Sequence, residues 1–297
     1  MLLRTLLLAA IGLRCVAQCG PATDLEAEFQ KAAGLAARVV NPFGAIEKAE
    51  PFRAVRDRHP ADLFAHERYQ DAMNEYGIEG HLRLLNKEYL ELDFKHPGEA
   101  MYHYLYVRTL AGRHTPAAIQ GLNELAAQNP DFAPAHQTLA EIYATETFRD
   151  AAKEKLERER YGAICPEGKF RHWLSPWPPP IPVRSPLIQE AERALADGAD
   201  PERVIALTIQ GLQELEWRSQ RIRAFDWFTP DAKIADAREL REHYWEAWAI
   251  EVKSYRKAGD AEKASELLRR MESRAALVKN RPGPEYRTAA EVLASLE

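Results

Sequence analysis

Prolines recur at a nearly constant interval through the first half of the chain. Pro60, Pro97 and Pro130 are 37 and 33 residues apart, and each lies between the end of one helical pattern and the start of the next. Proline ends helices because it lacks a backbone N–H and restricts the residue before it. A period near 34 residues is typical of repeat proteins, whose units bury their apolar faces against neighbouring units. The period therefore favours a repeat array over an isolated domain.

Apolar residues recur every three or four positions between these prolines, which predicts pairs of amphipathic helices. The first predicted helix covers residues 24–39, with Asp24 as its cap, and the second contains Pro51, expected as a kink or a boundary. Two further pairs follow. The stretch NPDFAPAHQTLAEIYA, residues 129–144, begins a fourth pair. The sequence thus predicts an all-α array of antiparallel helical hairpins.

These units resemble the tetratricopeptide repeat family, in which each unit is a helix-turn-helix with small residues where the helices cross. In the third and fourth units the resemblance is carried by Ala118, Leu122, Leu125, Pro130, Ala135, Leu139, Ala140, Tyr143 and Ala152. A later copy contains Trp248, Val252, Tyr255, Gly259, Ala264, Leu268 and Met271, although Glu251 stands where the family usually has an apolar residue. The resemblance implies an α-solenoid.

A proline-rich stretch separates the two regions that carry the repeats. KFRHWLSPWPPPIPVRSP, residues 169–186, cannot form a helix or a central strand, and we expect an extended connector. The predicted organisation is a signal peptide at residues 1–17, hairpins at residues 21–168, the connector at 169–186 and further hairpins at 187–297. The last helix of the final region is expected to cap the stack.

The amino terminus has the three parts of a secretory signal. MLLRTLLLAAIGLRCVAQCG contains an early basic residue, a short apolar run and then small residues, with a cleavage site after Ala17. Residues 16–19 also loosely resemble a lipoprotein box that would place a lipid anchor on Cys19, although Gln18 is too large for such a box. An ordinary buried helix is the remaining alternative. The preferred interpretation is export to the periplasm or secretion.

Charge limits the partners of the mature chain. Removing Arg4 and Arg14 lowers the 40 basic residues to 38, against 45 acidic residues, so that the net charge changes from −5 to about −7. A negative chain is a poor ligand for nucleic acid or for anionic membrane surfaces. We expect neither nucleic-acid binding nor direct membrane insertion after signal cleavage.

Cysteines and catalytic motifs are sparse. Cys165 is interpreted as a small turn or core residue, with pairing to Cys19 or a free thiol as alternatives, and no disulfide framework is expected. His59 and His66 lie seven apart across a proline break, an unsuitable spacing for zinc. No nucleophile elbow, phosphate loop or dinucleotide fingerprint occurs in the sequence. We therefore predict no catalytic residues, no metal and no cofactor, and that the protein is not an enzyme.

Binding is the use that the resemblance implies, because the first helices of successive hairpins line one concave groove in this family. Matching the third and fourth units to the family pattern places four candidate ligand-binding residues in that groove: Tyr104, Arg108, Gln137 and Glu141. Glu67 and Asp71 occupy related positions in the second unit. The alternative is that all six are ordinary surface residues. Except for Arg108 these residues are acidic, aromatic or neutral, which does not fit the lysine and asparagine clamp for terminal carboxylates.

The leading hypothesis is an exported, non-catalytic scaffold that binds a protein or peptide in the cell envelope. One alternative is an envelope enzyme or redox accessory protein that uses Cys165 and His172. Another is an outer-membrane assembly lipoprotein anchored through Cys19. The cluster of Tyr244, Trp245, Trp248 and Tyr255 is interpreted as packing between helices rather than as a ligand cage.

Overall fold

The computed structural model describes residues 19–21, 23–39, 45–168, 185–226, 230–279 and 284–296. The predicted signal peptide, most of the proline-rich connector and His172 lie outside the described residues. Within the described ranges the chain forms thirteen helices and no strand. They are α1 (Thr23–Ala36), α2 (Ala45–Arg58), α3 (Leu63–Tyr76), α4 (Glu79–Lys95), α5 (Ala100–Arg108), α6 (Thr115–Gln128), α7 (Ala133–Ala144), α8 (Ala151–Ile164), α9 (Pro186–Ala196), α10 (Pro201–Ala224), α11 (Pro230–Lys257), α12 (Ala261–Lys279) and α13 (Pro284–Ala294).

Helices adjacent in sequence pack against each other as hairpins, which confirms the predicted all-α array. The chain divides into two compact units. Unit 1 is Met1–Pro179 with Ala224–Phe228, and unit 2 is Pro180–Arg223 with Thr229–Glu297. No described helix combines the length and the apolar character that crossing a membrane requires.

The prolines set the start of the first helix in three successive hairpins of unit 1. Helices α3, α5 and α7 each begin three residues after Pro60, Pro97 or Pro130. Asp62 caps α3, since its side chain accepts a hydrogen bond from the Ala65 N–H. The three helices are therefore in the same register relative to their prolines.

Two local predictions can be compared with the helix bounds. Helix α2 runs from Ala45 to Arg58 with Pro51 inside it, so of the two alternatives for Pro51 a boundary is excluded. Helix α1 begins at Thr23, one residue before the cap that the sequence suggested. Gly259, which belongs to the later repeat copy, lies in the turn between α11 and α12 with a φ of 78°, where a side chain would be strained.

The core of unit 1 is a continuous apolar cluster between the hairpins. Its most deeply buried aliphatic side chains are Leu82, Leu105, Leu122, Leu139 and Ile142, each no more than 1% exposed. Helices α5 and α6 approach closely at Gly121, where an added Cβ would lie 2.9 Å from both methyl groups of Val107. The small residue permits the crossing, as the repeat pattern predicts.

Unit 2 has an apolar and aromatic core of its own. Trp245, Val252 and Met271 are fully buried at the α11–α12 crossing, and Trp248 and Tyr255 pack against them. The rings of Trp245 and Trp248 meet edge to face, with 5.4 Å between their centroids. Three of the four residues in the predicted packing cluster, Trp245, Trp248 and Tyr255, thus pack in this core.

A disulfide joins Cys19, which precedes α1, to Cys165, which follows α8. Of the alternatives for Cys165, the structure thus shows pairing with Cys19. The two sulfur atoms belong to a small cluster with Ala133 and Tyr161, and Cys165 is 2% exposed. The covalent ring encloses all eight helices from α1 to α8.

Candidate functional site

Three first helices of unit 1 carry polar residues at matching positions. Counted from the preceding proline, the seventh residue is Glu67 in α3, Tyr104 in α5 and Gln137 in α7, and the eleventh is Asp71, Arg108 and Glu141. Residues four apart on a helix lie on one face, so each helix presents its pair in the same direction. We call these six residues the polar ladder.

Arg108 is the centre of the polar ladder. Its Nη2 donates to Asp71 Oδ1 at 2.5 Å, and its Nε lies 3.8 Å from Glu67 Oε1. Its Nη1 donates to the Gln70 side-chain oxygen at 2.7 Å, and the Gln70 amide donates in turn to the Leu105 carbonyl. A planar guanidinium can satisfy several acceptors at once, so one cation ties α5 to α3.

Tyr104 extends the ladder in both directions. Its hydroxyl donates to Glu67 Oε1 at 2.6 Å and lies 2.9 Å from the Thr138 hydroxyl of α7. Because the tyrosine proton is given to Glu67, the Thr138 hydroxyl donates to the tyrosine oxygen. The contacts of Tyr104 thus join α3, α5 and α7.

The predicted groove residues differ in exposure. Tyr104 and Arg108 are 1% exposed and Glu141 is 4% exposed, so these three side chains lie inside unit 1. Gln137 is half-buried. Glu67 and Asp71 keep 16% and 21% of their side chains exposed. The structure brings Tyr104 and Arg108 together with Glu67 and Asp71, while contact with a ligand stays a prediction for all four candidates.

Burial dominates the electrostatics of the ladder. It raises the pKa of Glu67 above its usual value, although Arg108 and Tyr104 both act to lower it. Burial alone would lower the pKa of Arg108, but Asp71 and Glu67 raise it above its ordinary value. Burial also holds the pKa of Tyr104 well above its ordinary value. Arg108 therefore stays charged, and Tyr104 stays a neutral hydrogen-bond donor.

The ladder contains one cation and three carboxyl groups, those of Glu67, Asp71 and Glu141. Tyr104 keeps its proton and Arg108 is committed to carboxylates, so neither group is set up as a nucleophile or a base. The partly exposed carboxylates of Glu67 and Asp71 are acceptors for hydrogen bonds from outside. The chemistry that this arrangement supports is recognition of donor groups.

A repeated histidine is the feature that sequence reasoning missed. His66, His103 and His136 each stand six residues after a proline. The His66 and His136 Nε2 atoms donate to the carbonyls of Pro60 and Pro130 at 3.0 and 3.1 Å, so the same bond fixes two turns. The recurring spacing from proline to histidine was the available signal.

The second ring nitrogen of each histidine has a different partner. His66 Nδ1 accepts from the buried Tyr89 hydroxyl at 3.0 Å, and His136 Nδ1 lies 2.6 Å from Glu157 Oε2. His103 Nδ1 lies 3.0 Å from Asp93 Oδ2. The position is thus constant while its environment varies between units.

A second buried cation lies between α2 and α4. Arg56 donates to Glu88 Oε1 at 2.5 Å and stacks over the Tyr69 ring, 4.4 Å from its centroid. Burial raises the pKa of Tyr69 to about 12. A cavity of about 190 Å³ beside this group is lined by Ile46, Arg53, Tyr69, Met73, His81, Leu84 and Glu88, among others.

Among the described residues, no group of three or more His, Cys, Asp or Glu side chains is placed to hold a metal ion. Cys165 is bonded to Cys19 and is therefore not a free thiol in this structure. Comparisons of the chain with protein-family models, with curated proteins and with solved structures return no match. Membership of the tetratricopeptide family stays a prediction from the quoted residues.

Proposed function

We propose that this protein is an exported helical scaffold, similar to tetratricopeptide proteins, that binds a protein or peptide partner without catalysing a reaction. One observation carries the proposal. Tyr104 and Arg108 of α5 form hydrogen bonds with the equivalent residues Glu67 and Asp71 of α3, and Tyr104 also contacts the Thr138 hydroxyl of α7. A regular surface built from repeated first helices is the arrangement with which stacked hairpins bind extended ligands.

Within this surface the residues have two roles. Tyr104 and Arg108 are positioning residues, because their polar atoms contact α3 and α7 and their side chains are buried. Glu67, Asp71 and Gln137 are the contact residues, because they retain exposed surface. Carboxylates and an amide favour a partner segment that offers N–H groups, such as a peptide backbone or a basic side chain.

The disulfide supports export. Disulfides persist in oxidising compartments and are rare in the cytosol, and Cys19 lies close behind the predicted signal sequence. The same sulfur cannot carry a thioether-linked lipid while it is bonded to Cys165, so the pairing favours the periplasmic or secreted form over a lipoprotein. Mass spectrometry of the mature protein distinguishes the two forms, because a lipid on Cys19 would exclude the form with the disulfide.

A capture experiment tests the binding function. The mature chain is immobilised and exposed to envelope extract, and bound proteins are cross-linked and identified. We expect the same partner to be captured repeatedly, with cross-links to α3, α5 or α7. Replacing Gln137 by alanine should reduce capture by about fivefold or more.

The matched control is Gln120→Ala, because Gln120 is an exposed glutamine on α6, outside the ladder. This control should capture as much partner as the parent protein. Equal capture by the parent protein and by Gln137→Ala, or no retained protein at concentrations where the chain is folded, would contradict the proposal.

A further inference from the structure

Two residues from the connection between the long helices α10 and α11 lie in unit 1. Phe225, the first residue after α10, is 1% exposed and belongs to the apolar core of unit 1. Asp226 follows it and forms hydrogen bonds to the loop between α5 and α6. Asp226 is 111 positions away in sequence from Thr115.

Asp226 makes three hydrogen bonds with its surroundings. Its backbone N–H donates to the Gly112 carbonyl at 2.6 Å. Its two carboxylate oxygens accept from the Thr115 N–H and from the Thr115 hydroxyl, both at 2.7 Å. The Thr115 hydroxyl oxygen accepts in turn from the Gly112 N–H at 2.8 Å. Backbone and side chain of the aspartate are therefore both recognised.

Helix α6 has a local reason to bind a carboxylate. His114 at its cap position makes no side-chain hydrogen bond to the helix, and Pro116 in the first turn has no N–H. A helix amino terminus favours negative charge, and Thr115 is fully buried, away from water that would otherwise satisfy it. By comparison, α3 and α8 are capped by Asp62 and Asp150, which immediately precede them.

We propose that unit 1 contains a peptide-binding site for an aromatic residue followed by aspartate, and that this chain fills the site with its own Phe225 and Asp226. The ring occupies space within the apolar core, and Gly112 and Thr115 hold the aspartate. Recognition by one ring and one carboxylate is weak between separate molecules, and attachment to the same chain raises the local concentration of the ligand. The inference goes beyond the polar ladder and uses none of its residues.

A peptide added in trans tests the proposal. The probe is a labelled, acetylated and amidated peptide with the sequence of residues 221–229. The host is the full mature chain with Phe225→Ala and Asp226→Ala, which leaves the site empty. We expect saturable binding to this variant by fluorescence anisotropy, and binding at least tenfold weaker to the parent protein, whose own segment occupies the site.

Three controls make the outcome specific. A probe with Asp226→Asn and a probe with Phe225→Ala should each bind at least tenfold more weakly, because each lacks one recognised group. Adding Lys155→Gln to the host should leave probe binding unchanged, since Lys155 is an exposed residue of α8. Equal affinity for the parent protein and the emptied host, or no binding to a host that retains its helical circular dichroism, would overturn the proposal.

Hydrogen exchange gives a readout that does not depend on the emptied host. In the single variant Asp226→Asn the Thr115 amide loses its charged acceptor. We expect this amide to exchange at least tenfold faster, with unchanged exchange in the amides of α3. Unchanged exchange at Thr115 would show that the carboxylate is not held there, and the site would be rejected.

Discussion

Units 1 and 2 are both built of helical hairpins, but the side chains buried between helices within unit 1 differ from those within unit 2. The first helices of unit 1 meet through Arg108, Tyr104 and their carboxylate partners. The helices of unit 2 meet through Trp245, Met271 and neighbouring apolar groups. An apolar interface tolerates volume-conserving substitutions, whereas a buried ion pair is stable only with its partners in place. The polar ladder therefore fixes which residues of α3 and α5 face each other.

The two units also differ in covalent closure. A disulfide links the segment before α1 to the residue after α8, so the described helices α1 to α8 of unit 1 all lie inside one ring, and the segment at 224–228 lies outside it. No cysteine occurs in unit 2. Unit 1 thus adds a disulfide and the buried contacts of Arg108 to its apolar core, which leads to different responses to substitution.

The largest expected difference follows from removing the disulfide. Replacing Cys19 and Cys165 by serine should lower the free energy of unfolding of unit 1 by about 5 kcal/mol, since the stabilisation grows with the size of the closed loop. Unit 2 should be unaffected. Hydrogen exchange measured by peptide mass spectrometry reports the two units separately. Equal losses in both units, or none in unit 1, would contradict the comparison.

The next effect is expected at the centre of the polar ladder. Arg108→Met leaves the partly buried Asp71 and Glu67 without their cation and should destabilise unit 1 by about 3–5 kcal/mol, read from exchange in α3 and α5. Arg83→Met removes an exposed arginine of α4 and should change stability by less than about 1 kcal/mol. Similar losses in the two variants would show that the buried pairs of Arg108 do not hold α3 to α5.

The two units also show which structural features can be predicted from the sequence and which cannot. Helix positions follow from a local pattern, because apolar residues at helical spacing form a stripe that must be buried. Leu82, Leu122 and Leu139 belong to such stripes and are almost completely buried. The same reasoning predicted the packing of Trp245 and Trp248 in unit 2, since both rings lie on the apolar stripe of their helix.

Contacts between distant residues could not be predicted in this way. The pattern placed Tyr104 and Arg108 on one helical face but did not show that α3 and α7 would bury that face. The bond between Cys19 and Cys165 spans 146 positions, and the bond between Asp226 and Thr115 spans 111. Such partners depend on tertiary geometry, which periodicity does not contain.

At the crossing of α11 and α12 in unit 2 the expected effects follow side-chain volume. Met271→Ala should cost about 2–4 kcal/mol, because it leaves a cavity at a fully buried position between α11 and α12. Met271→Leu conserves volume and should cost less than about 1.5 kcal/mol. Hydrogen exchange in α11 and α12 measures both variants. A leucine variant as unstable as the alanine variant would show that the apolar contacts of unit 2 tolerate substitution no better than the ion pairs of unit 1.

A smaller effect should be shared by both units, because each contains a close crossing at a glycine. An added Cβ would lie 2.9 Å from Val107 at Gly121 in unit 1 and 2.5 Å from Ile188 at Gly211 in unit 2. Substitution of either glycine by alanine should destabilise its own unit by about 1–3 kcal/mol.

Gly162 is the control for these crossings, since an added Cβ there meets nothing within 4 Å. Gly162→Ala should stabilise α8 by about 0.5–1 kcal/mol through helix propensity alone. Thermal unfolding of the three variants gives the comparison. Stabilisation by Gly121→Ala or Gly211→Ala would show that the corresponding helices do not need the close approach.

The last prediction concerns acid. Burial lowers the pKa of His66, despite the bond to Pro60 and the nearby Glu88 and Asp62, and Arg56 lowers it further. A lowered folded-state pKa gives stability that is present above the unfolded value of about 6.5 and is lost as the pH falls through the folded-state value. Unit 1 should therefore lose a contribution to its stability on acidification, because a protonated His66 Nδ1 can no longer accept from Tyr89.

Glu67 acts with the opposite sign in the same unit, so the His66 contribution must be isolated by substitution. The raised pKa of Glu67 favours folding at low pH, and this contribution is lost as the pH rises through its folded-state value. His66→Gln keeps a polar side chain at this position but cannot titrate. The free energy of unfolding of unit 1, measured by hydrogen exchange, should fall less between pH 7 and pH 5 in this variant than in the parent protein. The free energy of unfolding of unit 2 should change equally in both. Parallel pH profiles in unit 1 would show that His66 is already solvated in the folded chain.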